Sequence, residues 1–236
     1  MAVAQAAAQD KRIALLTRAF YALRAEGKVT FQREPCHNPL ARAADASHPN
    51  EMEHDLTGQL LIAMPGMGDP RFDHSVVYLC AHSEQGAMGL MINKPAPSVS
   101  LGDMLERLEI ENSAGARHIV HFGGPVEMAR GFVLHSTDYQ SEGSTLMVDD
   151  HFSMTGTVDI LESIANGTGP SRAMVALGYA GWGPGQIEDE MAANGWLLAP
   201  AVPDLVFDGA DETKWIDVLK QIGIDPIMLS ASAGRA

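Results

Sequence analysis

From Leu56 onward the chain alternates short, nearly continuous apolar blocks with segments in which apolar residues recur every three or four positions. The first kind reads as buried strands, the second as amphipathic helices. "GQLLIAMP" (58–65), "SVVYLCAH" (75–82) and "AMGLMINKP" (87–95) are predicted strands, and the turn-like "SEQG" joins the last two as a hairpin. "SLGDMLERLEI" (100–110) is a predicted helix, with Ser100 and Asp103 in capping-box spacing and Leu101, Met104, Leu105 and Leu108 on one face. Further strands are expected at "HIVHF", "GFVLHS" and "STLMVDD", and a helix at 157–167 with Thr157 as its cap and Gly167 as its stop. "RAMVALGYA" (172–180) returns to strand, "PGQIEDEMAAN" (184–194) to helix and "WLLAPAV" (196–202) to strand. "DETKWIDVLKQIG" (211–223) is the closing helix, with Trp215, Val218, Leu219 and Ile222 facing inward. Several strand pairs are too close for crossover helices, so the pattern predicts an α+β fold, a single domain with a largely antiparallel sheet.

Before residue 52 the pattern fails. An alanine-rich start, one short helix candidate with Ile13, Leu16, Phe20 and Leu23 at helical spacing, and a polar, proline-broken run offer too little apolar surface for a core. Residues 1–51 are expected to be a disordered or non-native extension, with Met52 as an alternative start, and residues 52–236 to be the folded body. No uninterrupted apolar run reaches the roughly 18 residues of a membrane helix, and the chain has no secretory-signal order near its start. With two cysteines, Cys36 and Cys80, in unrelated contexts, a cytoplasmic protein without a disulfide framework is expected.

Charge narrows the partners. The net charge is −14, and residues 52–236 hold nine Lys or Arg against twenty-five Asp or Glu, a formal −16. Nucleic-acid affinity comes largely from neutralising phosphates with basic residues, so this body is not expected to bind nucleic acid, nor is a membrane expected as a partner. The basic residues of the first fifty-one leave a direct transcriptional regulator open as an alternative.

Candidate chemistry centres on "GYAGWGPGQIEDEMAANGW" (178–196), five glycines and a proline around Trp182 followed by an acidic helix. Pro184 suits the first helical position with Gly183 as cap, and the ring of Trp182 is expected either to cover the core or to wall a groove. A dinucleotide fingerprint is the formal rival, but Gln186 stands where a third glycine belongs, and three early carboxylates would oppose a pyrophosphate. "HFGGPV" (121–126) is a second glycine corner. His118 and His121 are three apart in a strand and point to opposite faces, and H-E-x-x-H is absent, so no metal is expected. Period-two alternation puts Val76, Tyr78, Cys80 and His82 on one face, which leaves two readings of Cys80: a small core residue, or a thiol activated by His82 in a thiol-dependent enzyme or redox sensor. G-x-S-x-G is absent.

Together, "FDHSVVYLCAHSEQGAMGLMINKP", "HFGGPV", "RGFVLH" and the 178–196 stretch resemble the AlgH/YqgE family of bacterial proteins. The resemblance runs from about Leu56 to Ala236. It implies a single-domain α+β fold whose sheet is bent into a barrel-like shape with flanking helices, in a cytosolic protein. It carries over no catalytic residues and no cofactor, and the family's label of transcriptional regulator has no DNA-binding motif behind it here. The expected binding groove takes the family's characteristic stretches as they stand: Asn93, Lys94, Pro95, Gly123, Gly124, Pro125, Gly178, Gly181, Trp182, Gly183, Pro184 and Gln186. Its expected occupant is an unknown small molecule or protein, held by a non-enzymatic module with an indirect regulatory role.

Overall fold

A computed structural model describes residues 55–141 and 144–229. The expected extension over residues 1–51, with its helix and the alternative start at Met52, lies outside the described residues. The strands are β1 (Gln59–Ala63), β2 (Val76–Ser83), β3 (Gly86–Met91), β4 (Pro95–Ser100), β5 (Ile119–Phe122), β6 (Val126–Ser136), β7 (Thr145–Met147), β8 (Phe152–Thr155), β9 (Ala173–Trp182) and β10 (Trp196–Pro200). The helices are α1 (Leu101–Arg107), α2 (Val158–Ala165), α3 (Gln186–Ala192) and α4 (Asp211–Gln221).

One curled sheet runs in the order β10-β1-β2-β3-β9-β6-β8-β7, a half-barrel, with β4 and β5 as a side branch. Every pairing is antiparallel except β5 with β9. The continuous apolar blocks are strands covered on both faces: Leu60 to Ala63 and Val76 to Leu79 are fully buried. On one cluster, Leu101 and Leu105 of α1 and Ile160, Leu161 and Ile164 of α2 close over Val120, Val133 and Val175. In another, Ile187 of α3 joins Leu61, Val77, Leu79, Met91, Trp182 and Trp196. α4 buries Trp215, Val218 and Leu219, and the Trp215 indole donates to the Ala63 carbonyl at 2.9 Å.

Local chemistry sets the boundaries. The capping box is formed: Ser100 Oγ accepts from the Asp103 N–H at 3.1 Å and Asp103 Oδ2 from the Ser100 N–H at 3.4 Å. Thr157 caps α2 by backbone geometry with no side-chain cap bond, and Gly167, at φ +74, follows its end. Pro184 and Gly183, by contrast, are not the first helical residue and the cap of α3. The helix starts at Gln186 behind Gly185, whose φ of +71 turns the chain where a side chain would strain it. Three further elements depart from expectation. The strand expected to run through Pro95 stops at Met91, and β4 restarts at Pro95 as a flanking strand, where a missing N–H is tolerated. "STLMVDD" is cut to β7, with β8 following after the Asp149 turn, whose carboxylate accepts from the His151 and Phe152 N–H groups at 2.7 and 2.9 Å. Finally, Asp204–Asp208 is a π-helix between β10 and α4.

Candidate functional site

β5 and β6 pair with the same three residues of β9, Val175 to Leu177, and therefore lie on its opposite edges. Only Gly123, Gly124 and Pro125 separate them, so the chain crosses over β9 within three residues. That crossing leaves no room for side chains: a Cβ on Gly124 would lie 2.0 Å from the Tyr179 carbonyl carbon, and one on Gly123 2.3 Å from the Gly178 carbonyl oxygen. The "NKP" corner is bonded to the same place. Met91 N–H donates to Gly123 O at 2.8 Å, Phe122 N–H donates to Lys94 O at 2.7 Å, and Pro95 registers with His121. The structure thus brings Asn93, Lys94, Pro95, Gly123, Gly124, Pro125 and Gly178 together.

Gly181 to Gln186 sit elsewhere. Trp182 is four residues beyond Gly178 along β9, about 13 Å at a rise of ~3.3 Å per residue, and pairs with Ala87 beside the β2–β3 turn. Its ring is 3% exposed and packs edge-on against Trp196 at 5.8 Å, with Phe72 at 5.5 Å from Trp196 and 6.5 Å from Trp182. Glu190 Oε2 accepts from both indoles, at 2.9 Å from Trp182 and 2.7 Å from Trp196, and Gln186 donates to Glu190 Oε1 at 2.7 Å. Three rings and a carboxylate resemble a cage for an ammonium ion, but the rings touch one another and the carboxylate is occupied by indoles. This is core packing, and Trp182 covers the core rather than walling a groove. Glu190→Ala leaves two buried donors unmatched at about 1–3 kcal/mol each. A loss of about 2–6 kcal/mol is expected in urea unfolding monitored by tryptophan fluorescence, and a loss below about 1 kcal/mol would remove the bridge as a stabilising element.

Cys80 and His82 do not form a reactive pair. The β2–β3 register slips between Leu79 and Ala81, so Cys80 is the extra residue of a bulge and the expected alternation breaks there. Its thiol is buried, contacts the Tyr78 carbonyl at 3.8 Å, and is pushed up in pKa by burial, the reverse of an activated thiol. His82 is engaged elsewhere: its Nδ1 accepts from the Leu56 N–H at 3.2 Å and its Nε2 meets Glu188 Oε1 at 2.9 Å. In a Cys36→Ser background, Cys80 is expected to react with a thiol reagent at least about a thousandfold more slowly in the native state than in denaturant, following the small unfolded fraction. Fast native reaction with an acid-shifted midpoint would restore the thiol reading.

Beneath the crossing lies a cluster that pattern reading passed over. His121, on β5, places Nε2 at 3.2 and 3.1 Å from the two carboxylate oxygens of Asp211, in the first turn of α4. One turn on, the Lys214 ammonium donates to Asp211 Oδ1 at 3.3 Å, to Ile92 O at 2.9 Å and to Val206 O of the π-helix at 3.0 Å. Lys214 is 2% exposed; burial pulls its amine below the usual value, against the pull of Asp211. Burial alone would raise Asp211, but the hydrogen bond from His121 and the neighbouring ammonium of Lys214 outweigh it and hold the carboxyl low. On the outer side, Lys94 donates to Asp73 O at 2.6 Å, and Asn93 bonds the Val76 N–H and the His74 carbonyl at 2.9 Å each. His74 sits at φ +51 with its ring 4.5 Å from Trp215 and its Nδ1 2.8 Å from Asp73. Perturbed, partnered ionisable groups gathered at one corner make it a candidate functional site. The available signal was Lys214 itself, which shares the inward face of the last helix with Trp215 and Val218.

Among the described residues, no group of three or more His, Cys, Asp or Glu is arranged to hold a metal ion, and no helix is long and apolar enough to cross a membrane. Fold and corner together define an α+β protein with a curled antiparallel sheet and a polar corner where β4, β5 and α4 meet. The sequence profile described as AlgH-like matches residues 60–227. A UPF0301 protein of Ruegeria pomeroyi is 60% identical over 184 residues, 77% of this chain and 100% of that one, and one of Cereibacter sphaeroides is 57% identical over 183 residues, again 77% and 100%. The solution structure of the AlgH protein from Pseudomonas aeruginosa is similar with a TM-score of 0.64 at 40% identity, over 80% of this chain and 98% of that one. A crystal structure from Corynebacterium diphtheriae, at 19% identity and TM-score 0.59, shares the fold, over 73% of this chain and 91% of that one. The chain belongs to the AlgH-like family.

Proposed function

We propose that the protein is a non-enzymatic binding module of the cytoplasm that holds a ligand at the corner built by Asn93 to Pro95, Gly123 to Pro125 and the start of α4, and that it acts on regulation indirectly. One observation carries this reading: segments far apart in sequence, joined by backbone bonds at the glycine crossing, converge on the buried His121–Asp211–Lys214 cluster. The nucleophile candidate Cys80 is buried in a bulge, which favours binding over covalent chemistry. The test is native mass spectrometry of full-length protein purified from cells, wild type against Lys94→Glu. Lys94 is partly exposed, so the substitution changes the corner and not the core. A small molecule retained by the wild type and lost from the variant is expected. The same retained set in both would overturn the reading.

A further inference from the structure

The corner holds one polar atom whose chemistry is not used by the fold. His121 is 6% exposed, and its Nδ1 is buried with no hydrogen-bond partner. Asp211 decides what that atom is. The carboxyl is held low and remains ionised at neutral pH, so the ring nitrogen facing it, Nε2, carries the proton. In the neutral imidazole Nδ1 then presents a lone pair, and burying an acceptor unmatched is costly.

The backbone opposite cannot supply the missing donor. The residue in register with His121 on β4 is Pro95, which has no N–H. The β4–β5 ladder also opens beside it: Pro95 registers with His121 and Ser100 with Ile119, so β4 spends five residues where β5 spends two. A proline-containing strand out of step with its partner leaves the ring without a ladder donor on that side. Charge restricts what enters. Lys214 already donates to three oxygens, Asp211 stands on the other side of the ring, and the body carries a formal −16, so an anion gains no free cation at Nδ1.

We propose, resting on the binding-module reading, that the corner's ligand is a neutral hydroxyl compound, and that one of its O–H groups donates to His121 Nδ1 between β4 and β5. Water offers the same chemistry, so the experiment separates the two sources. In full-length protein labelled with 15N-histidine and at the backbone amides, two-bond proton–nitrogen spectra report which ring nitrogen is protonated and whether Nδ1 accepts a hydrogen bond. The probes are erythritol, a small neutral polyol, and inorganic phosphate. A proton on Nε2, and a saturable shift of Nδ1 and of the Phe122 and Gly123 amides with erythritol but not with phosphate, is the expected result. The shift should vanish in His121→Phe, and the wild-type titration stands alone if that variant fails to fold. An Nδ1 already hydrogen-bonded in the protein alone and unmoved by erythritol means a resident water and overturns the proposal. Amides shifted by phosphate with Nδ1 unmoved overturn the hydroxyl class and leave the corner standing as a binding site. No response to either probe overturns the hydroxyl proposal, while the Lys94→Glu comparison still judges the module reading.

Discussion

Gly124→Ala is expected to cost about 4 kcal/mol or more, in the range that signals a specific steric failure, and to lower the melting temperature by about 8–16 °C for a body of this size. The reason is contact as well as conformation. At φ +156 the added Cβ would lie 2.0 Å from Tyr179 C and 2.2 Å from Ala180 N, both backbone atoms in the middle of β9 that cannot swing aside. Relief would require lifting the β5–β6 crossing off β9, which breaks the Gly123 N–H bond to Leu177 O and the Met91 N–H bond to Gly123 O. Gly115→Ala is the control: φ is +66 and nothing lies within 4 Å of the added carbon, so left-handed strain of about 1–2 kcal/mol is all it adds. Thermal melts of the two variants separate the effects. Equal losses would mean that the crossing yields and that Gly124 is required for conformation alone.

The two glycine stretches were visible in the sequence, but their meanings were not. In "GYAGWGPG" the positive φ values fall at Gly178 and Gly185, not at Gly181 or Gly183. Gly178 answers to the crossing and Gly185 to the start of α3, while Trp182 points into the core. Local pattern shows that a backbone must bend; it does not show which distant segment occupies the space the missing Cβ leaves. Strand and helix identities were legible because burial on both faces leaves short continuous apolar blocks and burial of one helix face a helical period, and the capping box because its two bonds lie within four residues. β4 was hidden by its prolines, β8 by a turn that depends on one carboxylate, and the π-helix because Lys214, several residues further on, binds a carbonyl that it exposes. His121, Asp211 and Lys214 share no local motif. Their alliance spans a strand and a helix about ninety residues apart, consistent with the separation of 90 between His121 and Asp211.

Lys214→Met should test that alliance most directly. Methionine keeps the apolar length of the side chain beside Gly209 while the ammonium is lost. Ile92 O and Val206 O then lack the ammonium, and Asp211 keeps only its contact with His121; removing one partner of a buried pair costs about 3–5 kcal/mol. Adding Asp211→Asn to Lys214→Met removes the uncompensated carboxylate, so the double variant should lose less than the sum of the singles by about 0.5–3 kcal/mol. The pH dependence gives a second reading. Asp211 titrates below its ordinary 3.8 in the folded state, so its contribution is complete above 3.8 and is lost as pH falls through the folded value. Wild type should therefore weaken in acid more steeply than Asp211→Asn. Lys214 acts at the other end: its folded value lies below 10.5, the unfolded chain holds that proton more tightly, and this part of the stability rises with pH up to 10.5. Urea titrations of the four proteins across pH supply both measurements. Additive losses with parallel acid limbs would show that Lys214 and Asp211 act independently, and the corner would lose the coupling on which its role as a site depends.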